Sequence, residues 1–301
     1  MPTRRALKDE SKRFLLVLLS FAVVLLASTT WKGQSPVYKQ NKATVVFALS
    51  ASDNESEMSM DAVVVIRGGR FQTPFSDSSE SDQERFAKTY FAEGKNYRLI
   101  FGGGEVGMIT LTHWSRGCNS VHANVQVTTN VRLNETVRAL ATNSNAIGKK
   151  TSSRRSPTAD ERARVLALVK GIYLQNGTPA NLIPSIKVTN LTATDLNDDG
   201  KYEIVGSFTM AAKNKFERDL FLITTANPNG FSAEFIKFQA YQPPSEGFLS
   251  SIDFLDQVDL DSDGVAEVFA THGGFDAYGY LIFKKVGGHW RQVYEGIGDA
   301  C

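Results

Sequence analysis

A mainly β fold, with one helix near residues 158–175 and an apolar helix at the N-terminus, is what this sequence predicts. Three observations carry the prediction. Short β-branched and aromatic runs recur between turn residues, as at Ala62–Ile66 before Gly68-Gly69. Helical periodicity behind the N-terminal segment is confined to one stretch after Pro157. The 24 Gly, 9 Pro and 19 Phe among 301 residues lean toward strands and turns rather than a helical bundle.

Hydrophobic residues make up 42% and charged residues 22%, an ordinary globular balance, and the length suits one large domain or two modest ones. A formal net charge of +1 supplies no field to gather nucleic acid or steer an anionic substrate, so nucleic acid is not an expected partner. Two cysteines, Cys118 and Cys301, exclude a disulfide-dense miniature scaffold; the core must hold the fold.

Arg4, Arg5, Lys8, Lys12 and Arg13 precede Phe14–Ala27, a run in which only Ser20 is polar. A basic flank before about 7–15 apolar residues is the layout of a secretory signal. As a helix the run rises about 21 Å, short of the roughly 30 Å hydrocarbon core. Extension to Trp31 gives a marginal span with an interfacial aromatic. Residues 1–31 are therefore expected as a signal peptide, or as a membrane anchor if uncleaved. Either version exports the rest, to be secreted or held at the membrane. An oxidising compartment would pair Cys118 with Cys301 and tie the C-terminus to the N-terminal half.

Residues 43–140 read as an N-terminal β region. Ala43–Leu49 and Ala62–Ile66 are apolar strands, and Val121–Leu133 alternates over much of its length. Tyr97–Phe101, Gly102-Gly103-Gly104 and Met108–His113 read as strand, glycine turn, strand. Ser76–Glu84 reads as a solvated loop, and residues 141–157 as a flexible, basic linker. Thr158 and Glu161 then form a capping box. Ala163, Leu166, Val169, Ile172 and Tyr173 follow at helical spacing until Asn176-Gly177 and Pro179 stop the helix. That helix opens the second region, 158–301.

The chemistry lies in a repeat. Asp195-Leu196-Asn197-Asp198-Asp199-Gly200-Lys201-Tyr202-Glu203 is matched 64 residues later by Asp259-Leu260-Asp261-Ser262-Asp263-Gly264-Val265-Ala266-Glu267. Positions 1, 2, 5, 6 and 9 are identical, and position 3 keeps a side-chain oxygen. Calcium takes about six to eight oxygen ligands, and alternate side chains converge on one ion only if the chain turns sharply at position 6, where glycine stands. The expected ligands are Asp195, Asn197, Asp199, the Lys201 carbonyl and Glu203, and Asp259, Asp261, Asp263, the Val265 carbonyl and Glu267. With four carboxylates against three, the second loop is expected to bind calcium more tightly.

An EF-hand would need a Glu at position 12; Gly206 and Ala270 stand there, and strand-like Glu203–Met210 and Glu267–Thr271 follow the loops. A loop closing at position 9 and running into a strand resembles the FG-GAP and VCBS-type repeats of integrin-α-like β-propellers. The turn at Asn227-Pro228-Asn229-Gly230, between Phe221–Thr225 and Phe235–Tyr241, fits that resemblance. So does Gly287-Gly288 between Tyr280–Val286 and Trp290–Tyr294. The resemblance implies antiparallel four-stranded blades, each with a structural calcium ion. It departs in repeat number: no third Asp-rich loop precedes residue 185, and closing a propeller takes at least about four blades. The blades would form a partial or small propeller, and the N-terminal half is left as degenerate blades or a separate β domain.

Other signals are weaker. Gly102-x-Gly104-x-x-Gly107 matches a dinucleotide fingerprint in letters, but a strand rather than a helix follows it. His113, Cys118 and His122 lack a fourth zinc ligand at short spacing. His272, Tyr278 and Tyr280 could pack between strands or form a ligand patch. The sequence thus predicts an exported, calcium-stabilised, noncatalytic binding or scaffold module of the cell envelope, with a protein or glycan as its partner. The alternative is a carbohydrate-binding module, using Trp114, Trp290 or Tyr278/Tyr280, or a glycan-active hydrolase or lyase on a β scaffold.

Overall fold

The computed structural model describes residues 43–51, 58–134, 137–149, 151–212, 216–228, 230–241, 251–274 and 277–300. The run Phe14–Ala27 lies outside them, and among the described residues no helix is long and apolar enough to cross a membrane. The N-terminal β region comprises β1 (Thr44–Ala51), β2 (Met58–Arg67), the short β3 (Arg70–Gln72), β4 (Asn96–Phe101), β5 (Gly104–Arg116), β6 (Val121–Thr129) and β7 (Ala139–Thr142). Pairing runs β1-β7-β4-β5-β6-β2, all antiparallel, and β2 returns to β1. Six strands thus close into a barrel without free edges, and β3 hangs from β2. This region is a barrel rather than a set of degenerate blades.

Phe47, Leu49, Met60, Tyr97, Leu99, Ile109, Leu111 and Val125 belong to one buried cluster of this barrel. Helix α1 (Glu80–Tyr90) adds Phe86 and Ala87 to it. The solvated loop expected at Ser76–Glu84 is therefore half helix. Ser79 caps it, accepting from the Asp82 amide, and the buried face begins only at Gln83. Val46, Ala48, Val64, Ile100 and Leu140 join a different cluster, with Leu255, Phe269, Tyr280 and Ile282. Strands β1 and β2 are buried on both faces. Their apolar runs, Val45–Leu49 and Ala62–Val65, are accordingly unbroken rather than alternating.

Two four-stranded antiparallel meanders make up the C-terminal region. The first has β8 (Lys187–Thr194), β9 (Glu203–Ala212), β10 (Phe216–Asn227) and β11 (Gly230–Tyr241). The second has β12 (Ser251–Val258), β13 (Glu267–Gly273), β14 (Ala277–Val286) and β15 (His289–Ala300). They pack through Phe221, Ile223 and Phe235 on one side and Phe254, Val268, Leu281, Phe283 and Trp290 on the other. Phe221 stacks on Phe283 at 5.1 Å. Helix α2 (Ala159–Gln175) carries the capping box of Thr158 and Glu161 and covers Ile204, Phe208, Met210, Leu220 and Leu222 of the first sheet. Its buried face is Val165, Val169, Ile172 and Tyr173; Ala163 is exposed. The layers run helix, first sheet, second sheet, barrel.

The segment expected as a flexible linker is a strap across the barrel and both sheets. Ile147 is buried in the cluster shared by barrel and second sheet. Lys149 exchanges backbone hydrogen bonds with Gly103 and Glu105, and Arg155 does so twice with Ala193. Arg154, exposed by only 5%, donates to the Arg138 and Leu255 carbonyls. Its guanidinium lies against the rings of Phe101 and Phe254, 3.4 Å from Asp256. Polar composition hid this role, because Arg154 is buried and paired internally rather than hydrated. The strap also explains the glycine fingerprint, whose turn joins β4 to β5 as a hairpin. A Cβ on Gly102 would lie 2.5 Å from Arg154 Cβ, and one on Gly104 would lie 2.4 Å from the Ser152 amide.

Candidate metal centre

Both Asp-rich loops connect the first two strands of a meander, β8 to β9 and β12 to β13. They turn left-handed at the same two positions: position 4 (Asp198 φ 63°, Ser262 φ 61°) and the glycine at position 6 (Gly200 φ 79°, Gly264 φ 90°). Nothing stands within 4 Å of where either glycine's Cβ would be, so glycine is needed for conformation and not for space. Three hydrogen bonds recur. The position-6 amide donates to Oδ2 of the first Asp, at 2.9 Å to Asp195 and 3.1 Å to Asp259. The position-7 amide donates to Oδ1 of Asp199 or Asp263, at 2.8 and 2.9 Å. The amide of Leu196 or Leu260 donates to Oε2 of Glu203 or Glu267, at 2.9 and 2.8 Å.

These bonds leave the second carboxylate oxygens of Asp199, Glu203, Asp263 and Glu267 free of the loop backbone, while Asp195 Oδ1 accepts from the Asp199 amide and Asp259 Oδ1 from the Ser262 amide. In the first loop, Asn197 Oδ1 also accepts from the Asp199 amide. Glu203 is buried, and burial, together with Asp199 and Asp195 nearby, pushes its carboxyl up to about 7. Among the described residues no Lys or Arg pairs with Glu203 or Asp195; Lys149 reaches Asp198 and Lys201 reaches Asp199, both at the rim. A buried carboxylate lacking a cation beside all-oxygen donors fits a hard divalent ion. The candidate ligands there are Asp195, Asn197, Asp199 and Glu203.

The second loop draws its acids closer. Asp259, Asp261 and Glu267 each offer an oxygen within 4.8 Å of the others, which the first loop's carboxylates do not. A lysine of β14 reaches them: Lys284 Nζ lies 2.7 Å from Asp261, 3.0 Å from Asp263 and 2.7 Å from Glu267. Burial pushes Glu267 up to about 7, against the opposing pull of Lys284. Nothing in the loop's own pattern pointed to Lys284, which lies 17 residues beyond Glu267.

A second polar cluster lies where the barrel meets the second sheet. A cavity of about 330 Å³ is lined by Asp61, Arg138, Asp253, His272, Tyr278 and Tyr280 among others. The hydroxyls of Tyr278 and Tyr280 donate to Asp61 Oδ2 at 2.9 and 2.8 Å. Burial raises the Asp61 carboxyl above the usual range, and the two tyrosine hydrogen bonds partly oppose it. Arg138 Nε, Asp253 Oδ1 and His272 Nε2 are buried without a hydrogen-bond partner. The sequence singled out His272, Tyr278 and Tyr280 but not the acids and arginine that join them from other elements.

Cys118 is disulfide-bonded, and Cys301 lies outside the described residues. The preceding residues are anchored beside Cys118: Asp299 accepts from the amides of Cys118 and Asn119, and Asn119 Nδ2 donates to the Ala300 carbonyl. His122 contacts Ser115 Oγ at 2.8 Å. Compared with family models, curated proteins and solved structures, the chain matches none.

Proposed function

We propose that this is an exported, calcium-stabilised, noncatalytic binding or scaffold module of the cell envelope, built from FG-GAP/VCBS-like blades. Its first loop would hold calcium through Asp195, Asn197, Asp199, the Lys201 carbonyl and Glu203. The carrying observation is one nine-residue loop, left-handed at the same two positions, at the same connection of two meanders. Calcium there supplies charge neutralisation for a buried carboxylate, and so acts on folding rather than on a substrate. The partner is a protein or glycan; the membrane is a further contact if the N-terminal segment is retained. A ligand that binds only the folded state stabilises it by about 2.7 kcal/mol at a hundredfold excess over Kd. Millimolar calcium should therefore raise the melting temperature and EDTA lower it; identical melts, with no metal on elemental analysis, would refute the reading.

A second reading, a glycan-binding or glycan-cleaving cleft, is favoured by the cavity between barrel and second sheet. It combines two carboxyls, an arginine, a histidine and the 38% exposed ring of Tyr278. Mixed donors and acceptors beside an aromatic face suit a neutral polyhydroxylated ligand. Glycan-array binding tests it.

A further inference from the structure

The second loop has the same inner wall as the first but a different occupant. Three of its bonds to the backbone match the first loop, Asp259 Oδ2 accepting from Gly264, Asp263 Oδ1 from Val265 and Glu267 Oε2 from Leu260; Asp259 Oδ1 accepts from Ser262, where Asp195 Oδ1 accepts from Asp199 one position later. The oxygens left over are both of Asp261, Asp263 Oδ2 and Glu267 Oε1. All four meet one atom, Lys284 Nζ, at 2.8, 2.7, 3.0 and 2.7 Å. An ammonium has three protons to give, so four carboxylate oxygens use its whole capacity. The Lys284 side chain is 19% exposed and the Glu267 side chain 0%. Asp261 and Asp263 stand at the rim, 50% and 40% exposed, so the Lys284–Glu267 contact is the buried one and not a surface pair of the kind worth almost nothing.

Strand register explains why only one loop has it. In the second sheet Val268 pairs with Phe283, and the next step places Lys284 opposite Glu267. In the first sheet Val205 pairs with Ile223, and two further steps place Thr225 opposite Glu203. Thr225 therefore holds the place of Lys284 and brings no charge. Counting carboxylates ranks the second loop above the first as a calcium site; the ammonium reverses that order. For calcium to enter the second loop, Lys284 would have to leave three carboxylates, one of them fully buried.

We infer that Lys284 is a tethered counter-ion occupying the cation position of the second loop, so that the protein takes up one calcium ion, in the first loop, and gains a second site only when that ammonium is removed. The single-ion part rests on the calcium reading of the first loop; the role of Lys284 does not. Chelator-treated full-length protein should be titrated with calcium chloride by calorimetry, with elemental analysis after gel filtration in calcium. Wild type should take up one equivalent, Glu203→Gln none, and Lys284→Thr, which copies the first sheet, two. Two equivalents in wild type, or one in Lys284→Thr, would overturn the inference while leaving calcium binding intact. No uptake by wild type but one equivalent by Lys284→Thr would instead refute the first-loop reading and uphold the counter-ion. Should Lys284→Thr fail to fold, Asp261→Asn decides the matter. Unchanged calcium uptake with a lower melting temperature in EDTA supports the counter-ion, and a drop of one equivalent overturns it.

Discussion

Arg154→Met is the most informative single test of the fold, because composition and structure assign that residue opposite roles. Methionine keeps the unbranched stem between Phe101 and Phe254 but removes the guanidinium. Asp256, itself 0% exposed, would keep only the Gly102 amide, now at 2.9 Å, as a partner from outside its own strand. Removing one partner of a buried ion pair costs about 3–5 kcal/mol. At about 2–4 °C per kcal/mol for a domain of this size, the melting temperature should fall by roughly 6–20 °C. The deficit should depend on pH. Burial holds the Asp256 carboxyl at about 6 even with Arg154 beside it, above the unfolded value of 3.8. Without Arg154 it rises further, so the folded variant binds a proton the unfolded chain does not, and the variant recovers stability as pH falls. A double variant, Arg154→Met with Asp256→Leu, should regain most of the loss, since apolar replacement of a buried pair is often neutral. Urea unfolding of the four members of this cycle at pH 5 and 7.5 measures the effect. A loss below about 1 kcal/mol for Arg154→Met would show that Arg154 is hydrated, as its place in a polar segment suggests, rather than internally paired.

Two further outcomes follow from the same reasoning. Burial pushes the Glu203 carboxyl up to about 7 when folded against 4.5 unfolded, so in the absence of calcium its contribution to stability is fully present below pH 4.5 and is lost as pH rises through 7. The loss is on the order of 3 kcal/mol, with Glu267 and Asp256 adding in the same direction; Glu203→Gln should therefore lessen, without abolishing, the fall of the urea midpoint between pH 5 and 7.5 in EDTA, and an unchanged fall would refute the assignment. For the cleft, Tyr278→Ala should abolish glycan-array binding by wild type while leaving calcium uptake unchanged; an array on which wild type binds nothing removes the second reading.

What was legible in the sequence was whatever a short window contains. The capping box of Thr158 and Glu161, the glycine hairpin at Gly102 and the loop repeat all depend on spacings of nine residues or fewer, and the structure has each of them. Helix α1 was hidden because Ser76–Glu84 is polar and its buried face, Phe86 and Ala87, begins late. Strand β12 was hidden for another reason. Strand β12 carries Asp253, Asp256 and Gln257 among its apolar residues, and Asp256 and Gln257 are buried by partners far away in sequence. Arg154 donates to Leu255, 101 residues on, and Lys284 acts on Asp261, 23 residues back. Charges that look solvated in one dimension are internal in three.

The loops are also structural joints, which determines what a metal there can do. The Ala266 amide, in the second loop, donates to the Leu196 carbonyl of the first at 2.7 Å. The Asp195 carbonyl accepts from Ser153 of the strap and from Gln257 of β12. Leu196 packs in the core between the two sheets, and Leu260 in the core between the second sheet and the barrel. Glu203 and Glu267 each hold the amide of one of these leucines. Loosening the first loop therefore frees Leu196, its bond to the second loop and the strap together, rather than fraying an isolated turn. Lys284 secures the second joint without an added ion, whereas among the described residues the first has no internal cation at Glu203. On the proposed calcium reading, binding at the first loop should accordingly act through Glu203 and its neighbours, expressed as one cooperative change in global unfolding.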